Sequence, residues 1–145
     1  LAYPNDGLVV GNFIGDHVRN KDLPALSATV QAGVAMHRNI DIFTDKHAVT
    51  IALRKLLFSK HRHLARVLMD VFYDHFLAKH FDAYHDMPLS AFIANVQPIL
   101  QKHESVLPHT AQRYLAGMIT QGWLVKYQTQ EGLHIFYKKW HIVAG

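Results

Sequence analysis

The chain has 145 residues, half of them hydrophobic, and a net charge of +4 with neutral histidines. That is ample material for one core, and a single domain over residues 1–145 is expected. There is no cysteine and no apolar run long enough for a transmembrane helix, which excludes disulfides, thiolate metal sites and a helical membrane span.

Other features of the composition point toward particular chemistry. Twelve histidines are many for this length, and nine of the eleven acidic residues are Asp. Asp is a modest helix former, so its placement inside helical patterns suggests a use beyond solubility. Imidazole and carboxylate without thiolate suit Mn, Mg, Fe or Zn. The basic balance suits an acidic partner. Leu1–Asp6 has neither the basic nor the apolar region of a signal peptide. Together with the lack of cysteine, this gives a cytoplasmic setting as the expectation.

In chain order, Tyr3–Gly7 reads as a turn with Asn5 or Asp6 as helix cap, followed by a first helix to about Arg19. Asp16 falls near its apolar side. After a connector, Pro24 suits the first turn of a second helix that runs to about Phe43. Thr44 or Asp45 can cap a third, His47–Phe58, and a basic connector, Ser59–His63, leads to a long fourth helix over Arg62–Tyr84. A fifth spans about Leu89–His103, where Pro98 should kink or end it. A sixth spans His109–Tyr127, weakened by Gly117 and Gly122. Helical spacing continues over Thr129–Val143. Met36, Phe72, Phe76, Trp123 and Trp140 read as core. No strand pattern appears, so the fold class is all-α: a bundle of about six or seven helices.

The second helix holds the stretch on which function turns, His37-Arg38-Asn39-Ile40-Asp41-Ile42-Phe43-Thr44-Asp45-Lys46-His47. Val30, Val34, His37, Asp41 and Thr44 recur at steps of three and four, the inward stripe of an amphipathic helix. Polar residues on such a stripe need partners or a cation. His37, Asp41 and Asp45 are spaced i, i+4, i+8 and point roughly the same way. Two readings of these residues stay open: metal or phosphate chemistry, and a salt-bridged helix end involving Arg38. Asp70, Asp74 and His75 form a second cluster, for which His75 as a hydrogen-bonded core histidine and Asp74 as a solvated carboxylate is the alternative. Asn12, Asp16 and His17 form a third. The basic stretch Arg54–Arg66 is either a solvated face or a landing strip for an acidic macromolecule.

Four blocks, taken together, resemble the acyl carrier protein phosphodiesterase family: Gly11-Asn12-Phe13-Ile14-Gly15-Asp16, Met36 to Asp45, Asp70-Val71-Phe72-Tyr73-Asp74-His75-Phe76-Leu77, and Trp123-Leu124-Val125-Lys126-Tyr127. They come in the family's order and cover about Leu1–Tyr127. The family is similar to the HD phosphohydrolases in a divergent, all-helical form. The resemblance implies hydrolysis of the phosphodiester between 4′-phosphopantetheine and a serine of acyl carrier protein, an acidic partner. It also implies a divalent metal, usually Mn²⁺.

Carried over position by position, the metal candidates are Asp16, His37, Asp41, Asp74 and His75. Arg38 is the candidate phosphate contact, and Asp45 or His47 the candidate proton donor. Family members usually begin with a His-containing segment, Asn-Phe-Leu-Ala-His-Leu, just ahead of Leu1. They also tend to continue past the Trp-Leu-x-x-Tyr block with a longer tail. A truncated chain and a missing ligand are therefore expectations. Two alternatives remain: an HD-type phosphohydrolase acting on a nucleotide or another phosphodiester, and a non-enzymatic basic binding module. Nucleic acid is not the expected partner, because no recognition motif appears and the aromatics read as core.

Overall fold

A computed structural model describes residues 5–134. All regular structure among them is helical: α1 (Asp6–Phe13), α2 (Ala28–Lys46), α3 (Ala48–His61), α4 (Ala65–Lys79), α5 (Leu89–Lys102), α6 (His109–Gln121) and α7 (Trp123–Lys126), joined in part by single 3₁₀ turns. The all-α expectation holds. Most of the segment predicted over Thr129–Val143, and Trp140 with it, lies outside the described residues.

The helix ends differ from the sequence reading for local reasons. Asn5 caps α1 by accepting the Leu8 amide at 3.0 Å. α1 stops at Phe13 rather than Arg19, and the chain tightens into a 3₁₀ turn at Gly15–His17. Pro24 sits in a separate 3₁₀ stretch, Asn20–Ala25, and α2 starts later, with Ser27 accepting the Val30 amide. α2 then runs on to Lys46, because the cap of α3 is His47 rather than Thr44 or Asp45. α4 is shortened at both ends by 3₁₀ turns. α5 continues through Pro98 to Lys102. Ala94 and Pro98 both face solvent, so the carbonyl that loses its amide partner is open to water. Gly122 adopts φ 60° and ψ 38° and ends α6, as glycine does at a left-handed cap.

One hydrophobic cluster joins Val9, Val10, Ile14 and Val34 to Leu100, Leu107, Ala111, Leu115 and Met118 from α5, α6 and the turn between them. A second joins Val71, Ala78, Phe81, Leu89 and Tyr127, and Leu124 packs against both. Phe72 and Phe76, expected in the core, are instead 42% and 54% exposed.

The contact that positions the site is the crossing of α1 on α2. Gly11 and Gly33 meet there backbone to backbone. A Cβ on Gly33 would lie 2.5 Å from the Leu8 carbonyl oxygen and 2.8 Å from the Gly11 Cα, and one on Gly11 would strike the Val30 carbonyl. No side chain fits between them, so the helices approach closely enough to bring the end of α1 onto the middle of α2.

Arg62, between α3 and α4, holds φ 44° and ψ −113°, a conformation that favours glycine. Arg62→Gly is expected to raise stability by about 1 kcal/mol, read from denaturant midpoints. An unchanged or lower midpoint would show that the Arg62 side chain supports the turn.

Candidate metal centre

Two elements build the centre. The 3₁₀ turn after α1 carries Asp16, and α2 presents His37 and, one turn later, Asp41. Gly15 makes room, since a Cβ there would collide with the His37 imidazole. His37 Nε2 lies 3.3 Å from Asp16 Oδ1 and 3.2 Å from Asp41 Oδ2. The His37 side chain is 23% exposed and the two carboxylates are exposed, so the site opens outward from a half-buried imidazole.

These distances alone would also suit an imidazolium between two carboxylates. The shielded Nε2 makes no hydrogen bond to either oxygen. One ligand atom from each of the three residues lies within 4.8 Å of the others. Two ligand atoms on adjacent corners of an octahedral ion at about 2.1 Å stand about 3 Å apart. The three donors therefore fit a divalent cation of the N/O-preferring kind and leave its other positions open.

The remaining predicted residues fall elsewhere. Arg38 does not reach toward this cluster. Its guanidinium donates to the Val18 carbonyl at 2.6 Å and to Asn20 Oδ1 at 2.7 Å. Arg38 thus ties α2 to the strand of chain leaving the Asp16 turn. The pairing of Arg38 with Asp41 or Asp45 that the sequence allowed does not occur. Asp45, a turn beyond Asp41, pairs instead with Arg54 of α3 and, at 3.4 Å, with Arg66 of α4. It joins three helices, and both its oxygens are taken up by arginines. His47 Nδ1 accepts the Val49 amide at 3.3 Å as the cap of α3, and its ring lies against Phe43. Neither candidate proton donor joins the cluster.

His75 is a core histidine, 6% exposed, whose Nδ1–H donates to the Tyr127 carbonyl. The structure does not bring it to Asp16, His37 and Asp41. That bond instead docks the Trp-Leu-x-x-Tyr block onto α4, helped by Gln128 Nε2 donating to the Ala78 carbonyl at 3.0 Å.

The acids of α4 do face the centre electrostatically. Burial raises the Asp70 carboxyl above its ordinary range; Arg66 opposes this, and Asp45, Asp41 and Asp16 add to it. Asp74 keeps exposed surface, yet burial of its carboxyl pushes it up to about 6, and Asp70 adds to the rise. Asp74 and Asp16 also reinforce the upward shift that burial gives the Tyr114 hydroxyl. Tyr114 of α6 is half-exposed, with its ring against Phe13, His17 and Trp123. It stands within the field of both carboxylates as a neutral O–H donor. Sequence could not single it out, since an inward tyrosine and a rim tyrosine share one periodicity. The like-charged Asp70–Asp74 pair was the legible signal on α4.

A raised carboxylate favours the protonated native state. Stability from Asp74 is therefore present below about 4 and lost as pH rises through about 6. Without metal, Asp74→Asn should gain in Tm over the parent chain as pH climbs from 4 to 7, measured by thermal melts in chelator. A pH-independent difference would remove Asp74 from this role.

Comparisons with known proteins bear on most of the chain. The profile described as Acyl carrier protein phosphodiesterase matches residues 1–140. Proteins named acyl carrier protein phosphodiesterase from Photorhabdus laumondii subsp. laumondii, Serratia proteamaculans and Yersinia pestis are 34%, 30% and 30% identical. The matched regions cover 88% of this chain in each case. The chain spans just under two thirds of these relatives' length: 65%, 66% and 66%. No solved structure matches significantly. Profile and relatives agree with the four sequence blocks, two of which meet at the centre described above, and the chain belongs to the acyl carrier protein phosphodiesterase family.

Proposed function

We propose that the chain forms the catalytic part of a metal-dependent phosphodiesterase. Its substrate is the bond between 4′-phosphopantetheine and the serine of holo acyl carrier protein, and its products are apo carrier protein and 4′-phosphopantetheine. The observation that carries this reading is the convergence of Asp16, His37 and Asp41 around an imidazole nitrogen with no hydrogen-bond partner. The names of the relatives supply the substrate class.

In this reading Asp16, His37 and Asp41 hold the cation, with Mn²⁺ the first choice and Mg²⁺, Fe²⁺ or Zn²⁺ the alternatives. When bound, the cation polarises the phosphodiester and lowers the pKa of water. Gly15 leaves the room that the His37 ring occupies. Arg38 keeps the Asp16 turn against α2. Asp70 and Asp74 add negative charge on the α4 side, which favours cation entry, and the Tyr114 hydroxyl is a proton-bearing donor in the same field. No helix among the described residues is long and apolar enough to cross a membrane, and we place the reaction in the cytoplasm, where the carrier protein would meet it.

The test is mass spectrometry of holo carrier protein incubated with the chain, with Mn²⁺ or with chelator. A panel of nucleotides and simple phosphodiesters serves as the competing substrates. Metal-dependent loss of the phosphopantetheine mass is the expected result. Turnover of the panel with the carrier untouched would replace the substrate assignment but keep the phosphohydrolase.

A further inference from the structure

α3 carries a surface that the described fold leaves uncovered. Thr50 is the only buried residue of its fourteen. One edge holds the helix: Thr50 Oγ1 lies 2.7 Å from the Tyr73 hydroxyl, and Arg54 pairs with Asp45. Away from that edge, Val49, Leu53 and Leu56 recur at steps of four and three, one stripe of a helix. They are 55%, 41% and 65% exposed. Scattered exposed leucines need no explanation, but an apolar stripe rimmed by charge marks an interaction surface.

The rim is all of one sign. Between Asp45 and Asp70 the chain has no acidic residue and six lysines and arginines. Lys60 extends the stripe by a turn, Lys55 stands on another face of the helix, and Arg62 and Arg66 follow, all exposed.

This charge selects the occupant. Residues 135–145 are apolar enough to cover a stripe, but their charges are Lys138 and Lys139 with no acid, so they would add like charge. A second copy would bring the same basic flank and no acid from its own Lys46–Met69 stretch to meet it. An acidic helix with an apolar face complements both features, with charge guiding encounter and apolar anchors slowing release. α3 also begins just past Asp45, itself one turn beyond Asp41, so a partner seated there lies next to the centre. We propose that the Val49–Leu53–Leu56 stripe, with the positive charge of Lys60, Arg62 and Arg66 beyond it, is the docking face for an acidic helix of the carrier protein. The proposal rests on the carrier reading above.

The experiment measures binding of apo carrier protein, which lacks the phosphodiester, by fluorescence anisotropy over a salt series, with hydrolysis of holo carrier assayed in parallel. L56E is expected to weaken binding by about 10-fold or more, the loss of a buried anchor, with the salt dependence kept. K55E/K60E is expected to weaken binding at low salt and to flatten the salt dependence. If hydrolysis persists and neither variant shifts affinity, the docking face is overturned while the catalytic reading stands. A parent chain that neither binds nor hydrolyses carrier overturns both. If L56E instead splits a dimer or abolishes cooperative melting, the stripe is covered by a second copy or by the chain itself, and the proposal falls.

Discussion

His37→Ala is expected to abolish cation binding and to lower hydrolysis by more than about 100-fold, since even outer partners of metal ligands cost 10–100-fold when removed. The reason lies in what surrounds Nε2. Two carboxylate oxygens sit at 3.2 and 3.3 Å, and neither accepts a hydrogen bond from it. Deleting the ring leaves Asp16 and Asp41 as an exposed carboxylate pair whose mutual repulsion only a loosely held, hydrated ion would offset. Asp41→Asn keeps the shape and removes the charge, so it should weaken the cation in the same direction. Titration with Mn²⁺ followed by electron paramagnetic resonance, alongside turnover of holo carrier protein, reads both effects. If His37→Ala lowered the melting temperature yet bound Mn²⁺ as tightly as the parent, the three residues would be an ion-paired helix contact and no more.

Arg38→Ala carries the second large effect, and its signature separates two roles. A phosphate contact would show its loss mainly as a higher KM for the carrier, with cation affinity intact. The geometry instead has both ends of the guanidinium occupied, by the Val18 carbonyl and by Asn20 Oδ1. Cutting these bonds frees the chain just past Asp16 from α2. The expected result is a loss of about 10–100-fold in Mn²⁺ affinity, the range typical of residues that hold ligands in place. Arg38→Lys should rescue only part of it, because an ammonium lacks the planar fork that reaches two acceptors in fixed directions. An unchanged Mn²⁺ titration with a raised KM would return Arg38 to the phosphate.

How much of this was legible beforehand differs from residue to residue. The pairing of His37 with Asp41 followed from a spacing of four on a helix, and helical geometry alone fixes that neighbourhood. The same rule made Asp45 a third member, and there it failed. Periodicity gives a direction but not a partner, and Arg54 and Arg66 arrive from two other helices to claim that carboxylate. His75 followed the same logic. It is buried, as a core histidine would be, and its ring bonds to the backbone of Tyr127, fifty-two residues away.

The sequence by itself determined the all-α class, the near-positions of the helices and the family, because helical periodicity and short ordered blocks are local properties. It also narrowed the donor chemistry, since a chain without cysteine can offer no thiolate. What only the tertiary structure decided is which of those donors meet. Asp16 reaches His37 because Gly11 and Gly33 let two backbones touch and Gly15 leaves room for the ring. Those contacts span about twenty residues of intervening chain with its own turns, and small residues at a crossing leave no periodic mark that a one-dimensional pattern can show.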